Sequence, residues 1–178
     1  MSEPVDYAAR AARFEREIST AQTQREVLEL LAVEVNNSLG YSRSWMSVME
    51  PDGENVRILA PEFSGGEDFW AAADLVPIEG DAYVTLLVES GEPQIVVDAQ
   101  IDPSVNREIV EQLGSRTIVN VPIKIEGHDF GAVGTGTFGD EGPRAPTEAE
   151  VEHLKAIGDV AGAAMSRILQ LAGHIPAE

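Results

Sequence analysis

Cysteine is absent from all 178 residues. Disulfides, thiolate-built zinc sites, cysteine nucleophiles and any prosthetic group tethered through sulfur are thereby excluded. Positive charge is scarce as well: 12 Lys plus Arg stand against 31 Asp plus Glu, a formal net charge of −19. A surface of that sign repels phosphate backbones and anionic lipid headgroups, so neither nucleic acid nor a membrane is an expected partner. No run approaches the roughly 20 apolar residues of a membrane span. Glu3, Pro4 and Asp6 do not open the basic-then-apolar pattern of a signal peptide, and a cytoplasmic location is expected. Histidine occurs three times. His128 falls in a predicted hairpin turn, His153 among polar residues of a predicted helix and His174 in the tail, so all three read as solvated surface residues. None of them is placed to ligate haem, and no cluster of metal ligands forms.

What remains is ample for one domain: 43% of the residues are hydrophobic, enough to bury a substantial core at this length. From Pro4 to Thr20 the residues Tyr7, Ala11, Phe14, Ile18 and Ala21 trace a narrow apolar helical seam, suited either to a coiled-coil partner or to packing on the domain itself. Thr23 with Glu26 forms a capping-box pair that opens a second helix, whose apolar side carries Val27, Leu28, Leu31, Val35 and Leu39 before Gly40 stops it. Thr147 with Glu150 repeats that signal and opens a long final helix to about Leu171. In it Leu154, Ala161 and Ile168, and likewise Ile157, Ala164 and Leu171, recur every seven residues, as in a pairing seam that Gly158 and Gly162 would let approach closely.

Between these helices the text turns β-prone. Tyr41 to Glu50 and Asn55 to Ala60 flank the turn residues Pro51, Asp52 and Gly53, and predict a hairpin. Pro61 to Ala73 reads as a loop with an unusual aromatic load in Phe63, Phe69 and Trp70. Asp74 to Ile78, with Pro77, reads as an edge strand. A helix follows from the cap Asp81 to Gly91, then a strand at Gln94 to Val97. A short helix is expected from Asp102 and Pro103 to Gly114. Arg116 to Ile125 and Phe130 to Phe138 predict a second hairpin across Glu126 to Asp129.

This order and two stretches, "PIEGDAYVTLLVESGEPQIVVDAQ" from Pro77 to Gln100 and "SRTIVNVPIKIEGHDFGAVGTGTFG" from Ser115 to Gly139, resemble the GAF family. The first carries a helix that ends at Ser90, Gly91, Glu92 and Pro93 before a strand. The second carries paired strands with Pro122 after Val121 and Gly131 at the start of the return. The resemblance implies an α+β fold: a central antiparallel sheet of about six strands, long terminal helices on one face, short helices and loops over the other. It divides the chain into an N-terminal dimerisation or linker helix (1–22), the GAF domain (23–171) and a flexible tail (172–178). It also implies a sensory pocket, a homodimer joined by the terminal helices and a separate signalling output protein or domain.

Several sharper functions lack their residues. Gly134, Gly136 and Gly139 spell GxGxxG, but the motif ends a strand and runs into Asp140 and Glu141 instead of a helix N-terminus, so the glycines read as room for packed helices. The asparagine-lysine, phenylalanine, aspartate-glutamate signature of cyclic-nucleotide-binding relatives falls here on Thr137, Phe138 and Pro146. Bilin attachment and free methionine sulfoxide reduction use cysteine in related domains, so no covalent bilin is expected. No serine-histidine pair or set of facing carboxylates forms a catalytic constellation. Glu148, Glu150 and Glu152 suit the start of the final helix better than a calcium site. The pocket candidates are Trp45, Phe69, Trp70, Asp74, Tyr83, Asn120 and Thr135, which join aromatic surface to polar handles. The expected function is a non-enzymatic sensory module for a small molecule of undetermined identity. A ligand-free dimerisation module and a small enzyme on the same scaffold are the alternatives.

Overall fold

The computed structural model describes residues 3–60, 74–128 and 130–174. Helix α1 (Tyr7–Ile18) starts where the Asp6 carboxylate accepts the Ala9 amide. Helix α2 (Gln24–Leu39) starts at Thr23, whose hydroxyl accepts the Glu26 amide, and stops at Gly40, with φ of 75° in the left-handed region that glycine adopts without strain. Glu26 bonds back to the amide of Gln22, one residue before the position a full capping box uses. The box is complete on the last helix, α5 (Glu148–Leu171), where Thr147 and Glu150 bond each other's amides.

Six strands alternate with the remaining elements: β1 (Arg43–Met49), β2 (Asn55–Leu59), β3 (Asp74–Pro77), helix α3 (Ala82–Ser90), β4 (Gln94–Val96), helix α4 (Arg107–Leu113), β5 (Ser115–Ile123) and β6 (Gly131–Phe138). They form one antiparallel sheet in the order β3-β2-β1-β6-β5-β4. Period-two alternation divides the side chains between two faces. Met46, Val48, Val119, Val121, Ile123 and Val133 turn toward α1, α2 and α5 and share the main core with them. Two smaller apolar clusters lie on the other face, one around Leu87 of α3 and Phe130, the other around Tyr83, Val96 and Val110.

Three sequence expectations change. Asn106, not Asp102, caps α4: its Oδ1 accepts the amides of Glu108 and Ile109. Asp102 instead closes a turn with Ser104, and the Arg107 guanidinium ties that turn down through the carbonyls of Ala99, Gln100 and Asp102. The two heptad seams are filled from within the chain. Phe14, Ile18 and Ala21 of the first seam, and all of the second except Leu171, are buried among α1, α2, α5 and the sheet. Gly158 and Gly162 serve a close approach of α5 to the sheet: a methyl on Gly162 would lie 2.9 Å from the Lys124 carbonyl and 3.0 Å from the Ile123 side chain. The predicted tail from residue 172 begins with a helix-terminating turn, His174 donating its amide to Leu169, and residues 175–178 lie outside the described ones.

His153 is the third correction. It is buried rather than solvated, and joins a charged cluster across three helices. Arg10 of α1 grips Glu34 of α2 with Nε at 3.0 Å and Nη2 at 3.1 Å. His153 of α5 lies with Nε2 3.2 Å from the same carboxylate, and its ring packs on Tyr7 with centroids 4.7 Å apart. A carboxylate only accepts, so Nε2 donates and the buried Nδ1, which has no partner among the described residues, is left without a proton in the neutral ring. Burial holds the His153 pKa below its ordinary value, the Glu34 hydrogen bond and charge oppose that, and Arg10 adds to the lowering. The unfolded chain therefore takes up a proton near the ordinary value of about 6.5 that the folded chain refuses, and stability present above that pH is lost as pH falls below it. Thermal midpoints should fall between pH 7.5 and 5.5, and fall less in His153→Gln. Equal slopes in the two proteins would contradict the assignment.

Candidate functional site

The sheet face turned away from the long helices closes over a cavity of about 550 Å³, the size of a small-ligand pocket. Among the described residues its floor comes from β1, β2, β3 and β5 with Phe138 at the end of β6, and its roof from α3, α4 and the turn before α4. The lining is mainly apolar and aromatic, with Trp45, Tyr83, Phe130 and Phe138 on it.

Strand register brings three of the sequence candidates together. Asn120 of β5 and Trp45 of β1 both pair with Gly134 of the strand between them. Over that glycine the Trp45 indole N–H donates to Asn120 Oδ1 at 3.1 Å. A side chain at 134 would occupy the space now held by the indole nitrogen and the amide oxygen. The glycine therefore makes room for a hydrogen bond on the cavity face, not for helices on the other. From Asn120 the chain of bonds continues: Nδ2 donates to the Tyr83 hydroxyl at 2.8 Å, and that hydroxyl donates to the Gln94 carbonyl at 3.2 Å. Burial raises the Tyr83 pKa well above its ordinary value, and the nearby Asp81 charge adds to the rise against the Asn120 bond, so the phenol stays protonated. Among the described residues Asn120 keeps one N–H and one oxygen lone pair beyond these bonds, as an amide carries two of each.

Of the other candidates, Thr135 lies on the helix-facing side, buried, its hydroxyl donating to the Arg43 carbonyl at 2.6 Å, and is not among the cavity's lining residues. Asp74 contributes backbone to β3 opposite Ile58. Phe69 and Trp70, with the whole segment 61–73, lie outside the described residues. Sequence reasoning missed Ser47, Phe130 and Phe138. Phe138 lies edge-on to Trp45, with ring centroids 6.3 Å apart and an interplanar angle of 72°. The available signal was parity: Ser47 follows Trp45 by two on one strand. Among the described lining residues there is no histidine, cysteine or lysine, and no group of described residues could hold a metal ion.

A family model described as the GAF domain matches residues 21–166. No curated protein matches the chain. Among solved structures, the GAF domain of a phosphoenolpyruvate-protein phosphotransferase from Coxiella burnetii superposes with a TM-score of 0.72 at 14% identity, covering 96% of this chain and 98% of that one. A free methionine-R-sulfoxide reductase from Neisseria meningitidis, solved with its substrate, gives 0.67 at 12% identity, with 96% of each chain covered. The phycocyanobilin-bound GAF domain of a cyanobacterial phytochrome gives 0.66 at 20% identity, covering 97% and 100%. At these identities the likeness shows a shared fold.

Proposed function

The chain belongs to the GAF domain family, and from that membership we propose that it is a sensory module that takes up a small molecule against the Trp45, Asn120 and Tyr83 network and passes the event to a signalling partner. The observation that carries this reading is a buried amide with hydrogen-bonding capacity unfilled among the described residues, on a mainly apolar cavity. The absence of cysteine, and of histidine and lysine among the described lining residues, supports binding without turnover.

The relay follows from strand alternation. Asn120 faces the cavity, while its neighbours Val119 and Val121 lie in the core beneath α5. A ligand that binds one position of β5 better than another shifts the packing of α5, and through it α1, in proportion to that difference. Pairing with a second copy through the old seams would require Phe14, Ile18 and Leu154 to leave the core. The partner, a second copy included, is therefore assigned to the outer faces of α1 and α5.

A thermal-shift screen of metabolites tests the reading. A ligand at 100 times its Kd stabilises by about 2.7 kcal/mol, roughly 5–10 °C at this chain length. Asn120→Leu, which removes the polar centre of the network, should abolish that shift. Equal stabilisation of both proteins would place binding elsewhere.

A further inference from the structure

We infer that the cavity selects an uncharged ligand: a flat, largely apolar ring compound bearing one hydrogen-bond donor and one acceptor, in preference to a carboxylate, a phosphate or an ammonium ion. The inference rests on the cavity being the binding site and specifies what enters it.

Charge decides first. Arg43 is the one cation among the described lining residues, and it is exposed, its guanidinium lying over the Phe138 ring 4.5 Å from the centroid. An anion drawn into the interior would find no buried counter-charge among the described residues, and an unpaired buried charge costs several kcal/mol. A cation fares little better. Asp81, the acidic residue among the described lining, accepts the Val84 amide at 3.0 Å as the cap of α3, and its side chain is fixed there.

Polarity then sets the functional groups. Asn120, 5% exposed, offers a remaining N–H and a remaining lone pair, so it accepts a donor and an acceptor alike. The Tyr83 hydroxyl, with its proton directed at the Gln94 carbonyl and one lone pair taken by Asn120, adds acceptor capacity. Trp45 and Phe138, set edge to face on the lining, supply aromatic surface for a ring to pack on. A primary amide or a lactam on a ring meets all of these features; a carboxylate of the same shape keeps the ring contacts and loses the donor.

Two matched probe sets isolate charge from shape: phenylacetamide, phenylacetate and phenethylamine, then indole-3-acetamide, indole-3-acetate and tryptamine. Each is titrated into the full chain while the indole N–H resonance of Trp45 is followed by NMR, with Trp70→Phe assigning which of the two tryptophans gives it. Because that N–H is bonded to Asn120, its shift reports occupancy of this site. The amide of each set should move the resonance with a Kd at least tenfold below those of its charged partners. A carboxylate or amine that moves it at equal or lower concentration overturns the neutral-ligand assignment and leaves the cavity as a binding site. If none of the six moves it, the ligand class and the binding site fall together.

Discussion

Gly134→Val is expected to lower the unfolding free energy by about 2–4 kcal/mol and to remove small-molecule binding together with it. The new side chain would enter the space where the Trp45 indole meets the Asn120 amide. Overpacking of this kind costs about 1–3 kcal/mol. Separating the pair leaves a buried donor or acceptor unsatisfied at about 1–3 kcal/mol more. The β-propensity gained by replacing glycine in a strand, about 1 kcal/mol at most, offsets only part of this. Urea denaturation measures the loss, and the Trp45 indole N–H resonance should move at the same time. A variant as stable as the wild type, with that resonance unchanged, would show that the glycine is not holding space for the pair.

Arg10→Ala is expected to cost about 3 kcal/mol, the low end of the range for breaking a buried ion pair, because the Arg10 side chain keeps 25% of its exposure while Glu34 keeps 5%. The Glu34 carboxylate then has His153 as its remaining partner in the cluster. Loss of the Arg10 charge removes one of the influences that hold the His153 pKa down, so that pKa should rise toward the ordinary value. Thermal or urea unfolding measures the first effect, and NMR titration of the His153 ring the second. A loss below about 0.5 kcal/mol would place Arg10 with ordinary surface pairs such as Arg13 with Glu17.

The ends of the elements were legible in the sequence because their signals are local. Thr23, Asp81 and Thr147 cap helices as their positions predict, and Gly40, Gly91 and Gly114 end them in the left-handed conformation. The sheet was legible because each hairpin announces itself through turn residues and alternation. The partner of a helix face was not. A seven-residue repeat states that a stripe will be buried, and says nothing of whether the covering surface belongs to another chain or, as for Leu154, Ile157 and Ala161, to this one. Asp102 and Asn106 are both good caps by residue type, and what separates them is the Arg107 guanidinium held among three carbonyls, a tertiary contact.

The candidate site divides along the same line. Aromatic and polar residues in the middle segments could be named, but only register decides which of them meet. Trp45 and Asn120 are 75 residues apart in sequence and are joined because β6 lies between their strands with a glycine at the crossing point. Thr135, one residue on from that glycine, faces the opposite side for the reason that any one-residue step in a strand does. His153 left a readable sign: it stands four residues before Ile157 on α5 and eight before Ala161, on the apolar face. Glu34, one residue before Val35 and three after Leu31, carries the same sign on α2. A histidine and a glutamate on two buried helix faces are a pair awaiting each other.

The central claim, that the face of the sheet opposite the long helices holds a small molecule against Asn120, is tested most directly by native mass spectrometry of the protein gently purified from the cells that make it, beside Gly134→Val prepared in the same way. The wild type should carry a noncovalent one-to-one adduct of small-molecule mass that is missing from the variant, and denaturation should release it. An adduct present equally in both proteins, or a wild type at its bare sequence mass that no metabolite loads, would contradict it.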